Sequence, residues 1–156
     1  MTTTIKTMGR LGILSLVAFN LLLGVSTAAG KEPTFTTIDP PGSMFSWAVE
    51  SNPAGQIVGA YFTDTFHSYL LSKGEFTTID PPGAILENGA EGINPAGEIV
   101  GVYLDASEVG HGFLSSKGEF TTIDAPGAVY TRANGITPGG EIGGSTVIRV
   151  RATAFY

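Results

Sequence analysis

The two histidines of the chain are the residues best suited to acid–base or metal chemistry. His67 and His111 open corresponding segments of an internal repeat, and an imidazole both titrates near neutral pH and binds metals. Asp64 and Asp105 precede them by three and six residues, so that a calcium site is one interpretation. However, Thr153 stands where a third histidine would lie, and no dense Asp/Asn/Gly pattern follows the aspartates. We therefore predict hydrogen-bonding histidines and Asx turns rather than a metal site.

Three further aspartates recur in the repeat, at Asp39, Asp80 and Asp124. A glycosidase needs two carboxylates about 5–9 Å apart in different environments. Each of these aspartates instead stands in the same local sequence, directly or one residue before a proline, which is typical of a turn. No nucleophile elbow, zinc-protease pair or phosphate-binding glycine loop accompanies them. We predict no catalytic residue and no cofactor.

Aromatic side chains could stack on sugars if they are exposed. Tyr61 and Tyr103 lie within apolar segments, so we expect them to pack in the core, whereas Trp47 is the better candidate for a surface contact. The weak binding candidates are therefore Trp47, Asp64, His67, Asp105 and His111.

Composition limits the class of protein. The chain has 156 residues, 8 basic against 14 acidic side chains and no cysteine. A net charge of −6 argues against nucleic acid, because phosphate binding needs clustered Lys and Arg. Without cysteine there is no disulfide framework and no thiolate chemistry. The length predicts one domain or one repeat array.

The first 29 residues have the pattern of a secretory signal peptide. Lys6 and Arg10 precede an apolar run from Leu11 to Val25, and small residues follow up to Gly30. The run has about 15 residues, whereas a membrane span needs about 20. We expect a signal helix over residues 1–29, cleaved after Ala28 or Ala29, and a secreted or periplasmic product with no membrane segment.

The remaining chain is a threefold repeat. Phe-Thr-Thr-Ile-Asp occurs three times at spacings of 41 and 44 residues, at Phe35–Asp39, Phe76–Asp80 and Phe120–Asp124. A second block follows each copy, at Asn52–Gly59, Asn94–Gly101 and Thr137–Gly144. The units cover residues of about 35–75, 76–119 and 120–156, within one domain from residue 30 to residue 156.

Each repeat has the pattern of four short antiparallel strands. Asn-Pro-Ala-Gly is typical of a hairpin turn closed by a left-handed glycine, and Lys-Gly marks a second hairpin. The segment Ile57–Phe62 is apolar or small on both alternating faces, and Gly59 lies in its middle, so we expect sheets to cover both faces. We predict an all-β fold of three four-stranded repeats resembling a partial β-propeller, with a β-trefoil as the alternative.

A third block occurs at His67–Gly74 and His111–Gly118. Together the three linked motifs resemble the bacterial extracellular HAF repeat. The match rests on Gly92–Gly101, His111–Leu114 and Phe120–Gly127, and the resemblance covers nearly all of residues 35–156. It implies secreted propeller-type repeats of undefined activity, and it assigns no catalytic residue.

These observations favour a non-enzymatic secreted module that binds or scaffolds a protein or glycan partner. The alternative is a carbohydrate-binding, lectin-like propeller, which we favour if Trp47 is exposed in a groove; a glycoside or ester hydrolase is third.

The two ends of the repeat region indicate how it could assemble. Thr34–Asp39 has the sequence pattern of the fourth strand of a repeat, and Ala152–Tyr156 has that of the third strand. We therefore expect either an open arc or a homodimer that closes a six-blade ring by exchanging the N-terminal strand.

Overall fold

The computed structural model describes residue 32 and residues 34–85 and 87–148. The predicted signal helix and the predicted strand Ala152–Tyr156 lie outside these residues. Thr37 begins the compact unit that contains every strand of the described residues.

Ten strands and their connecting turns form this unit, and no helix occurs among the described residues, as an all-β fold requires. The strands are β1 (Phe45–Ser51), β2 (Ile57–Phe62), β3 (Phe66–Ser72), β4 (Glu75–Ile79), β5 (Asn88–Ile93), β6 (Ile99–Leu104), β7 (Gly110–Ser116), β8 (Glu119–Ile123), β9 (Ala128–Ile136) and β10 (Ile142–Ile148). Within the described part of the chain, no helix is long and apolar enough to cross a membrane.

The predicted four-stranded antiparallel sheet forms in the order β1-β2-β3-β4, and its last strand comes from the residues that open the second sequence unit, so we count β1 to β4 as the first structural repeat. The second repeat pairs β5 to β8 in the same way. The third repeat does not form a separate sheet, because a parallel bridge between Gly110 and Tyr130 joins β9 to β7. A Cβ at Gly110 would collide with the Tyr130 ring, so the missing side chain permits this bridge. The predicted four-stranded antiparallel pairing therefore occurs twice, in β1 to β4 and in β5 to β8, and the described residues after β8 contribute β9 and β10 to the second sheet.

The hairpin turns follow from their residue types. The Asn52 carbonyl accepts a hydrogen bond from the Gly55 amide, and the Asn52 side chain accepts from the amides of Ala54 and Gln56. Gly55 has a φ of +76°, which glycine adopts without the clash that a Cβ causes. Gly97 and Gly140 repeat this geometry in the next two copies. The predicted left-handed glycine turns are confirmed.

The glycines in the middle of the strands serve a different purpose. Each first strand of a repeat carries a β-bulge, at Val49 in β1, at Glu91 in β5 and at Asn134 in β9. The bulge brings a backbone carbonyl against the glycine opposite: that of Trp47 against Gly59 and that of Gly89 against Gly101. These glycines are therefore required by a close approach of two backbones.

The core forms where one repeat packs on the next. Strand β5 contacts β1, β2 and β3, and β9 contacts β5, β6 and β7. Val58 and Ile79 of the first sheet pack with Ala90, Tyr103 and Phe113 of the second. The central strand β6 is buried from Ile99 to Tyr103, as expected for a strand covered on both faces. In β2, by contrast, Ile57, Tyr61 and Phe62 are only half-buried.

One strand prediction is wrong. Residues 34–40 form no strand, and the described part of the chain begins its first ladder at Phe45. A strand exists only by pairing, and none of the ten strands pairs with this segment. A side-chain contact holds it instead: the Ser46 hydroxyl donates to the Ile38 carbonyl at 2.7 Å.

Candidate functional site

A groove opens between the first sheet and β5, with an interior volume of about 460 Å³. We call it the Trp47 groove. Its lining residues are Trp47, Val49, Ala60, Phe66, Glu87, Asn88, Gly89, Ala90, Glu91, Leu104 and Arg132. The volume falls within the range of about 300–1,000 Å³ that is typical of small-molecule sites.

One wall of the groove is aromatic. Trp47 on β1 is 44% exposed and Phe66 on β3 is 37% exposed, and their rings meet edge to face with centroids 6.1 Å apart. Phe45, 51% exposed, stacks on Trp47 at 6.1 Å and on Phe62 at 5.2 Å. The four rings share one face of the sheet, since Phe45, Phe62 and Phe66 are paired across β1, β2 and β3. The cluster leaves Trp47 exposed and available to a ligand.

The opposite wall is charged. The bulge in β5 places Glu91 in the groove, because a bulge re-aims the side chain of its extra residue. The Arg132 guanidinium of β9 donates to the Glu91 carboxylate and forms an ion pair with it. Burial acts to lower the pKa of Arg132, but the hydrogen bond and charge of Glu91 outweigh it and the pKa is raised. Glu87 lines the same wall, half-buried.

The repeats show that this groove is not a requirement of the fold. Where the first repeat has Trp47 and Phe66, the second has Gly89 and Gly110. At the junction of the second and third repeats, the Tyr130 ring lies against Gly110 and occupies the volume that corresponds to the groove. The corresponding junction of the first and second repeats has Glu87 in place of that tyrosine, and the groove stays open there.

His67 lies in a hydrogen-bonded network beside the groove. Its Nδ1 donates to Asp80 Oδ2 at 2.9 Å, and the other Asp80 oxygen accepts from the amide of Asn88. Asn88 also accepts from the Ser68 hydroxyl at 3.0 Å and donates to the Ile79 carbonyl at 2.7 Å. These contacts connect the end of the first sheet to the start of β5, so His67 helps to hold the first sheet against the second.

His111 lies between two carboxylates. Its Nδ1 donates to Asp124 at 2.8 Å, and its Nε2 lies 3.4 Å from Asp105. Burial acts to lower the pKa of His111, but the hydrogen bonds and charges of Asp124 and Asp105 raise it overall. Asp105 itself forms the predicted Asx turn, accepting from the amides of Ser107 and Val109 at 2.8 and 2.9 Å. The Val109 amide is the main reason that the pKa of Asp105 is lowered.

Asp64 is exposed, and its pKa is lowered mainly by a hydrogen bond from the Thr63 hydroxyl. The Tyr61 side chain is half-buried and its hydroxyl forms a hydrogen bond with that of Thr78 at 3.0 Å, whereas Tyr103 is buried in the core, as predicted.

Across residues 32, 34–85 and 87–148, no group of three acidic or histidine side chains is placed to hold a metal ion.

Of the five candidates from the sequence, only Trp47 lines the groove. The sequence motifs did not point to its partners Phe45, Phe66, Glu87, Glu91 and Arg132. An alignment of the first two repeats contains a signal for Phe66 alone, because Trp47 and Phe66 stand where the second repeat has Gly89 and Gly110.

Comparisons with known proteins found no match to this chain among family models, curated proteins or solved structures.

Proposed function

We propose that the protein is a secreted, non-enzymatic binding module whose ligand is a carbohydrate bound in the Trp47 groove. The observation that carries this proposal is the exposure of Trp47 within a groove of ligand size. The C–H face of a pyranose is apolar and flat, and an indole ring offers it a large rigid contact surface. Glu87 lies across the groove, where its carboxylate can accept hydrogen bonds from sugar hydroxyls.

A scaffold that binds a protein partner is the second candidate. Its support is the size of the exposed apolar area around the groove, since Met44 and Val49 add to the aromatic residues there. A hydrolase has less support. His67 and Asp80 are engaged with each other and with Asn88, and they join two sheets rather than facing the groove.

For the architecture, we propose propeller-type blades of the HAF-repeat kind rather than a trefoil. Strands β1 and β5, and likewise β5 and β9, are in contact, so that the first strands of the three repeats lie side by side. The buried hydrogen bond from Asn52 to the Asn94 carbonyl, 3.0 Å long, joins equivalent positions of two repeats. Stacked sheets related in this way are the arrangement of blades around an axis.

We also propose that the protein is exported and that two copies assemble into a homodimer. Residues 1–29 act as the signal peptide, which directs the domain outside the cell. Two copies closing a ring of six blades would lie within the usual range of about four to eight. The mass of the exported protein in solution separates a monomer from this homodimer.

The proposed function is tested on an array of immobilised glycans with the exported protein. Binding to one class of saccharide, lost in Trp47→Ala and retained in part in Trp47→Phe, would support it. Tyr61→Ala is the matched control, because Tyr61 is an aromatic residue on the opposite face of the same sheet. An array without any Trp47-dependent signal would contradict carbohydrate binding and favour the scaffold.

A further inference from the structure

The charge of the Trp47 groove restricts which sugar it accepts. Two carboxylates, Glu87 and Glu91, line the groove against one guanidinium, that of Arg132. Glu91 is paired with Arg132. Among the described residues no side chain forms a hydrogen bond or ion pair with the Glu87 carboxylate. Counted over the described residues, the groove therefore keeps one uncompensated negative charge, in a chain whose net charge is −6.

The aromatic wall, like the Glu87 carboxylate, favours a positively charged ligand. The face of an indole ring carries negative potential and attracts a cation within about 6 Å of its centre. Trp47 and Glu87 line the same groove on opposite walls, one from β1 and the other from the residue preceding β5. A ligand that combines a stacking face with a positive group would engage both.

Glu87 is not needed for the packing of the repeats. In the third repeat its place is taken by Tyr130, which fills the space above Gly110. A half-buried carboxylate loses part of its hydration, a cost that a bound cation would offset. Within the described part of the chain, Glu87 is therefore available to pair with a ligand.

We propose that the Trp47 groove selects a sugar bearing a protonated amine, such as a glucosamine oligomer, over its N-acetylated and carboxylate-bearing counterparts. This inference rests on the proposed carbohydrate binding at the same groove. The pyranose ring stacks on Trp47, and the ammonium group donates a charge-assisted hydrogen bond to Glu87. An N-acetyl group removes the charge, and a uronic acid is repelled by Glu87.

The test is calorimetric titration of the exported protein at pH 6 with three probes: glucosamine tetramer, N-acetylglucosamine tetramer and a glucuronate-containing oligomer. We expect the glucosamine tetramer to bind about tenfold more tightly than the N-acetylated one, because a charged hydrogen bond adds that much affinity. Glu87→Gln should abolish the difference. Glu119→Gln, a substitution of an exposed acid outside the groove, should leave it intact.

The outcomes separate this inference from the proposed function. Equal or tighter binding of the N-acetylated tetramer, lost in Trp47→Ala, would overturn the preference for an amine while the carbohydrate site stands. An amine preference that persists in Glu87→Gln would also overturn it, since unspecific attraction to an acidic chain would then explain the result. If no saccharide binds in a Trp47-dependent way, both proposals fail.

Discussion

Trp47 lies edge-on to Phe66, with ring centroids 6.1 Å apart and ring planes at 70°. The two residues come from β1 and β3, strands that are separated by β2, so their contact crosses the sheet above Ala60. Ala60, the β2 neighbour of Trp47, is small and buried, whereas the β2 neighbour of Phe66 is Phe62. The aromatic wall therefore combines rings from three adjacent strands.

The mid-strand glycines give the first prediction. Gly101→Ala should lower the free energy of unfolding by about 1–3 kcal/mol, because the new Cβ would overlap the Gly89 carbonyl and the Phe113 ring. Gly143→Ala is the control, since nothing lies within 4 Å of a Cβ there. Urea unfolding measures both variants, and equal stability of the two would contradict the close backbone approach.

The hairpin glycines are predicted to act through backbone conformation alone. Gly55 has a φ of +76° and open space around a Cβ, so Gly55→Ala should cost about 1–2 kcal/mol from left-handed strain. Gly55→Asn should cost less, because asparagine tolerates this conformation better. Thermal unfolding compares the two variants. An alanine variant as stable as the parent protein would argue against the assigned turn.

The repeat, the all-β class and most strand bounds could be predicted from the sequence. The strand pattern is local: Lys73-Gly74 forces a tight hairpin between β3 and β4, and Asp80-Pro81 ends β4 at Ile79. The same local pattern misled at Thr34–Asp39, because its ladder depends on a distant partner. None of the ten described strands pairs with this segment, and strand propensity alone does not make a strand.

The site was only partly predictable, for the same reason. Trp47 could be singled out as the one tryptophan of the chain, but its groove depends on which residues of β5 and β9 face it. The position of Glu91 follows from a bulge, and that of Arg132 from the packing of the third repeat on the second. Neither is visible in the spacing of residues along one strand.

The buried polar network that joins the sheets is the third prediction. Ser68 is fully buried and its hydroxyl donates to Asn88, so Asn88→Ala leaves it without an acceptor. We expect a loss of about 1–3 kcal/mol in the free energy of unfolding. The double variant Ser68→Ala/Asn88→Ala should lose less than the sum of the two single variants. Additive losses would mean that the two side chains do not interact.

The fourth prediction concerns pH and His111. Its folded pKa is raised above the ordinary value of 6.5, so its stabilising contribution is complete below pH 6.5 and is lost as the pH rises through the raised value. His111→Gln should therefore lose less stability between pH 6 and pH 8 than the parent protein. Denaturant unfolding at the two pH values measures this, and equal losses in both proteins would contradict it.

An NMR titration of the His111 ring provides the matching site-specific readout. Asp124→Asn should lower the pKa of His111, because it removes a carboxylate that accepts from Nδ1 at 2.8 Å. Glu119→Asn serves as the control for a charge removed from the adjoining strand β8 without a hydrogen bond to the ring. The same decrease in both variants would mean that general charge, rather than the hydrogen bond, raises the pKa.

The most direct test of carbohydrate binding in the groove uses Trp47 fluorescence, since the chain contains a single tryptophan. A sugar that stacks on the exposed ring should shift the emission to shorter wavelength and protect it from quenching by acrylamide. Both changes should saturate at the concentration at which calorimetry shows binding. If a saccharide binds by calorimetry while the emission and quenching of Trp47 stay unchanged, the groove is not the binding site and the proposed function is wrong.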